Sequence, residues 1–199
     1  MVSPHEEAAE SERKGLRGEI GDLDVAVYVA IAETPTPALD RIFRQISRAA
    51  DHSKLWLASS ALLATAAGNR GRRAALNGLA AVAATSTVVN LVMKPVSRRR
   101  RPDRPLHAVP VTRHVKMPRS TSFPSGHAAS AFAFASGVAT AAPEVGMLLT
   151  PLAALVGYSR IHTGVHYPVD VIAGTVTGVA MAPMTVAALD RRRARRRRA

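Results

Sequence analysis

Five stretches of this 199-residue chain carry no Asp, Glu, Lys or Arg, and that absence restricts the possible folds more than any other feature. They are Leu55–Asn69, Ala74–Met93, Ser120–Pro143, Val145–Ser159 and Val171–Leu189, of 15, 20, 24, 15 and 19 residues. A helix that crosses a bilayer needs about 20 mostly apolar residues. The two shorter stretches extend by snorkelling Lys54 or by placing Arg160 at a wet end. A soluble helix usually shows a charged face at a period of 3.6 residues, and these stretches show none. The mean hydropathy of +0.05 hides the pattern, because the charge is concentrated elsewhere. The expected fold is therefore all-α: a polytopic membrane helical bundle of about five spans.

The stretches are rich in small residues, as in Ser59-Ser60-Ala61, Ala83-Ala84-Thr85-Ser86-Thr87 and Gly174-Thr175-Val176-Thr177-Gly178. Small residues let membrane helices approach closely, where lipid supplies no hydrophobic drive to pair them. With no cysteine in the chain, disulfides and Cys-based metal sites are excluded.

The flanks read differently. Residues 1–24 hold seven acidic and three basic side chains with no apolar run, and are expected to be a disordered tail rather than a signal peptide. Val25–Ala32 is too short to span. After Pro37, residues Ile42, Phe43, Ile46 and Ala50 recur at helical spacing opposite Arg41, Arg44 and Arg48. This predicts a short amphipathic helix, lying on the membrane surface or packed on protein. Residues 25–189 form the expected membrane domain, and 190–199 a basic tail with seven Arg in its last nine residues. Nucleic-acid binding is one reading of that run. Its position directly after an apolar stretch favours an anchor on anionic lipid, at about 1 kcal/mol per basic residue.

Polar residues gather where the stretches end. The segment Lys94–Arg119 holds nine Lys and Arg and one Asp, and Arg160–Asp170 holds Arg160, His162, His166 and Asp170. In an up-down bundle both lie on one membrane face, beside Phe123-Pro124-Ser125-Gly126-His127. Ionisable residues at such places mark functional sites. Lys94 and Arg101 can converge on one anion, and Arg160 adds a planar fork suited to phosphate. Pro124 is expected to open a helix, whose first N–H groups form an anion site. Gly126 lets a phosphate approach the backbone, and Ser125 adds a hydroxyl. Asp170, four residues after His166, can hold one imidazole nitrogen protonated and leave the other as a nucleophile. His127 is a second imidazole, available as proton donor.

Lys94-x6-Arg101-Pro102, Pro124-Ser125-Gly126-His127 and Ser159-Arg160-x5-His166-x3-Asp170 together resemble the three-part signature of the type 2 phosphatidic acid phosphatase superfamily. The signature spans Lys94 to Asp170, and the resemblance extends from about Asp24 to Leu189. It implies a helical membrane bundle, usually of six spans, with an extracytoplasmic site; here the first span is missing or reduced to Val25–Ala32. It also implies that His166 forms a phosphohistidine, that Asp170 orients it, and that His127 protonates the leaving oxygen and then activates water. Lys94, Arg101, Ser125, Gly126 and Arg160 would hold the phosphate oxygens. No cofactor and no metal are implied, since the cations can stabilise the charge.

The resulting expectation is a metal-independent phosphatase of the plasma membrane. Its substrate would be a lipid phosphate monoester or diphosphate: phosphatidic acid, phosphatidylglycerol phosphate or a polyprenyl-linked phosphate. Two alternatives compete with it. A vanadium haloperoxidase-like enzyme shares the phosphate site, but such relatives are soluble and larger. A non-catalytic basic membrane protein binding anionic lipid or nucleic acid has no need of the His166–Asp170 pair. The Arg run after the last stretch reads as cytoplasmic, which turns the site outward.

Overall fold

The computed structural model describes residues 4–196, without side chains for residues 4–14, 16 and 17. Its α-helices are α1 (Pro4–Glu33), α2 (Pro37–Ala49), α3 (Lys54–Ala66), α4 (Gly68–Val88), α5 (Lys94–Ser97), α6 (Gly126–Ala139), α7 (Pro143–His162) and α8 (Pro168–Arg196). A 3-10 turn, Asp51–Ser53, joins α2 to α3, and a π turn, Val89–Met93, joins α4 to α5. Met1–Ser3, and Arg197 and Arg198 of the basic tail, lie outside the described residues.

The bundle is organised around α6, which packs against α4, α7 and α8. It can sit centrally because it is built from Ala, Ser, Gly and Phe; Ala128, Ala131, Ala133, Phe134 and Val138 are fully buried. The tightest approach is to α8. A Cβ on Gly174 would lie 2.4 Å from the Ser125 carbonyl oxygen, and one on Gly178 would lie 2.3 Å from that of Ala129. The Gly-x-x-x-Gly pattern thus sets α8 directly on the backbone of α6. The outer surface is apolar, with Leu62, Leu91, Leu148, Ile172, Val176 and Met184 exposed, as lipid contact requires.

Among the described residues, two helices are long and apolar enough to cross a membrane, Gly68–Ser97 and Pro168–Arg196. At 1.5 Å per residue α7 is about 30 Å long, but α3 and α6 are only about 20 Å. The charge-free stretches overstated these last two. Residues 120–125 form loop ahead of α6, and α3 ends at the turn around Gly68, which has φ 54°. The start of α6 is Gly126, so Pro124 precedes the helix rather than opening it.

The flanks also differ from the sequence reading. Residues 4–33 form one helix, not a disordered tail joined to a short apolar piece. Ala and Glu dominate its start, and both favour helix, Glu also by its placement near the positive dipole end. Asp24, placed by sequence at the end of the tail, is 3% exposed. At the other end α8 continues through the basic run to Arg196. Asp190 there pairs with Arg73 of α4 at 3.2 Å, and Arg70 pairs with Glu144 of α7 at 2.9 Å. A helix occupies Pro37–Ala49, and it packs on α7, with Phe43 against Tyr158 and His162.

Candidate active site

The end of α5, the start of α6, the end of α7 and the start of α8 meet at one pole of the bundle, opposite the Arg-rich end of α8. All eight residues singled out from the sequence lie at this pole.

His166 occupies the loop between α7 and α8 and is 2% exposed. Its Nε2 is 3.1 Å from Nη1 of Arg101. A guanidinium can only donate, so Nε2 is the acceptor and carries the lone pair. Nδ1 then bears the hydrogen, directed at Asp170 Oδ2 at 3.4 Å. Burial pushes the imidazole down to about 3, and Arg101 and Arg160 act the same way against the opposing pull of Asp170. The ring is therefore neutral near pH 7 with a fixed tautomer.

Asp170 has both oxygens engaged and is fully buried. Oδ2 accepts from Ser122 Oγ at 2.5 Å and from the Tyr167 N–H at 3.0 Å. Oδ1 accepts from Arg99 Nη1 at 2.9 Å. Arg99 reaches onward to Asp24 Oδ2 at 2.5 Å and stacks over Tyr167, 4.6 Å from the ring centroid. Asp24 Oδ1 accepts from the Val169 N–H at 2.8 Å. One cation thus serves two buried carboxylates and ties α1 to the start of α8.

Arg101 is held by Ser120 O at 2.8 Å, Val165 O at 2.8 Å and Thr121 O at 3.2 Å. Burial pushes its guanidinium down to about 10, still well above neutrality. Lys94 directly follows the π turn as the first residue of α5, with Nζ 3.1 Å from Asn90 Oδ1 and 3.3 Å from Ser120 Oγ. That ammonium comes within 3.5 Å of where a Gly126 Cβ would be. Gly126 and His127 are the first residues of α6, where backbone N–H groups have no intrahelical acceptor. Ser125 caps the helix: its buried Oγ accepts from the Ala128 N–H at 3.4 Å, and its own N–H donates to Asp170 O at 2.8 Å. Its oxygen accepts in the cap, which leaves the hydroxyl hydrogen available to donate.

Arg160 is buried, donates through Nη1 to Ser47 Oγ of α2, and has an Nε without a partner among the described residues. An unpartnered guanidinium N–H near Lys94 and Arg101 is the donor set an anion needs. His127 Nε2 lies 2.9 Å from Asp51 Oδ1, on the turn after α2. That hydrogen bond holds the Asp51 carboxyl below the usual carboxylate range.

Five participants escaped the sequence reading: Asp24, Arg99, Ser122, Asp51 and Ser47. Arg99 was visible only as one of four successive arginines. The others carry no periodic or motif signal.

The chain has clear relatives. A sequence model of the PAP2 superfamily matches residues 75–194. The decaprenylphosphoryl-5-phosphoribose phosphatase of Mycobacterium tuberculosis is 36% identical over 167 residues, 83% of this chain and 89% of that protein. Among solved structures, Aquifex aeolicus LpxE superposes with a TM-score of 0.68 at 24% identity, covering 83% of this chain and 95% of its own. The PAP2-type phosphatidylglycerolphosphate phosphatase of Bacillus subtilis superposes at 0.65 with 22% identity, covering 87% of each. The last two likenesses concern the fold.

Proposed function

Because this chain belongs to the PAP2 superfamily and is a phosphatase of the membrane, we propose that it removes the phosphate monoester from a polyprenyl-linked lipid through a phosphohistidine on His166. The observation that carries the chemistry is the double hold on that imidazole. Asp170 takes the Nδ1 hydrogen, and Arg101 faces the Nε2 lone pair.

The Nε2 lone pair of His166 attacks phosphorus. The bond from phosphorus to the leaving oxygen breaks, and His127 delivers a proton to that oxygen, which departs as an alcohol. Asp51 accepts from Nε2 of His127, so Nδ1 is the nitrogen that donates. His127, now neutral, takes a proton from water. The water oxygen bonds to phosphorus, the P–N bond breaks, and inorganic phosphate leaves. Lys94, Arg101, Arg160 and the N–H groups of Gly126 and His127 hold the phosphoryl oxygens throughout. Ser125 fixes where those N–H groups begin. These cations do the charge stabilisation that a metal does in other phosphatases, so the reaction is metal-independent.

The lipid class follows the relative with 36% identity over most of both chains. We place the bundle in the plasma membrane with about five crossings and the site outward, since the Arg run at the far end of α8 marks the cytoplasmic side. The test is phosphate release by the detergent-solubilised protein from polyprenyl-linked and diacyl phosphates, beside His166→Ala. Release from the polyprenyl lipid by wild type alone supports the reading. Release by both proteins, or only from diacyl phosphates, refutes it.

A further inference from the structure

Beside His127 the bundle holds a cavity of about 190 Å³. It is walled by the turn after α2, by α4 with its π turn, by Lys94 and by the start of α6. Seven of its nine lining residues carry polar side chains, and none belongs to the segment 160–170 that holds His166 and Asp170. The cavity shares Lys94, Gly126 and His127 with the phosphate site, so the two are continuous.

In-line phosphoryl transfer puts the leaving oxygen opposite the nucleophile. The nucleophile comes from the α7–α8 loop, and the proton for the leaving oxygen comes from His127. A cavity that touches His127 and avoids the His166 segment therefore lies on the side of the leaving group.

The lining is chemically selective. Ser86 Oγ of α4 and Ser130 Oγ of α6 are 3.2 Å apart, and either can donate. One hydroxyl hydrogen of the pair remains for a ligand, along with their lone pairs. Asn90 accepts from Lys94 Nζ through Oδ1 and donates one amide hydrogen to Ser86 O at 2.9 Å. Its second amide hydrogen remains. Ser86, Asn90 and Lys94 recur every four residues and all line the cavity. An acyl or prenyl chain lodged there would cover these groups without bonding them, which is unfavourable. A ligand with several hydroxyls would bond them.

We infer that this cavity is the subsite for the group leaving with the oxygen, and that it takes a hydroxyl-bearing, sugar-like group through Ser86, Asn90 and Ser130. The inference rests on the phosphatase reading above and adds what stands next to the scissile phosphate. A site built to bond hydroxyls discriminates against analogues that lack them, by factors reaching ~10⁴.

The experiment uses the full chain in detergent micelles with three substrates: polyprenyl phosphoribose 5-phosphate, polyprenyl phosphate and dioleoyl phosphatidic acid. The quantity read is the preference, the ratio of kcat/KM on the sugar lipid to that on each of the others. Wild type should favour the sugar lipid. Ser86→Ala combined with Ser130→Ala should cut that preference ~10- to 100-fold, and Asn90→Ala alone should cut it in the same direction. The inference is overturned if wild type favours a sugar-free substrate. It is also overturned if the variants slow all three substrates by one factor, the mark of helix packing, or leave the preference unchanged. If wild type is as silent as His166→Ala on every substrate, the phosphatase reading itself fails and the subsite falls with it.

Discussion

Arg99→Ala tests whether α1 is part of the catalytic centre. Arg99 is bonded to Asp170 at 2.9 Å and to Asp24 at 2.5 Å, and those side chains are 0% and 1% exposed. Removing one partner of a buried ion pair costs about 3–5 kcal/mol, because the other charge is stranded. Here two carboxylates lose their shared cation. Asp170 keeps Ser122, the Tyr167 N–H and His166 Nδ1, while Asp24 keeps only the Val169 N–H among the described residues. For a chain of this size, 3–5 kcal/mol lowers the melting temperature by roughly 6–20 °C. Asp24→Asn should cost less, about 1–3 kcal/mol, since an amide still accepts from Arg99. The double variant should be less destabilised than the sum by about 1–3 kcal/mol, because the two residues share one network. Thermal unfolding of detergent-solubilised wild type and the three variants, with kcat measured on each, reads the whole cycle. Loss under about 1 kcal/mol in Arg99→Ala, or strict additivity, would refute the network and return α1 to the role of a tail.

Three further outcomes are expected. Asp51→Asn should slow release from a lipid phosphate ~10- to 100-fold while slowing an activated aryl phosphate far less, since only the poor leaving group needs the His127 proton; equal slowing would remove Asp51 from proton transfer. Gly174→Ala puts a methyl 2.4 Å from the Ser125 oxygen, so α8 must shift off α6 and both stability and kcat should fall, by about 1–3 kcal/mol in stability; a variant within 0.5 kcal/mol of wild type on that ~1–3 scale would contradict the close approach. Burial pushes the His166 imidazole from 6.5 down to about 3 in the fold, so it carries no penalty above pH 6.5 and lowers stability progressively as pH falls from there toward 3. His166→Gln should flatten that acid slope, and parallel acid curves for the two proteins would argue against a neutral buried imidazole.

The candidate site was legible in the sequence as polar residue types recurring at fixed spacings. Lys94, Arg101, His127, Arg160, His166 and Asp170 all lie at one end of the bundle. Their supports were not legible, because each comes from a remote element. Asp24 reaches Arg99 across 75 residues, Asp51 reaches His127 across 76, and Ser47 reaches Arg160 across 113. A single Asp in a turn, or one Arg among four, has no local pattern to distinguish it. The all-helical bundle was readable from the charge-free stretches, but helix ends were not. Uncharged loop residues such as Ser120–Ser125 look like span to a charge count and form the loop ahead of α6 in the fold. The acidic composition of the start hid a related fact: within α1, Asp24 and Tyr28 turn inward to Arg99 and Gly164.

The most direct measurement is the trapping of the covalent intermediate. The protein is mixed with a polyprenyl-linked lipid labelled in its terminal phosphate, quenched in alkali within a turnover, and digested. The label should remain on the peptide containing His166, survive alkali and be released by acid, and be missing in His166→Ala. Turnover without any protein-bound label, or label retained on another residue in His166→Ala, would contradict a phosphohistidine at His166.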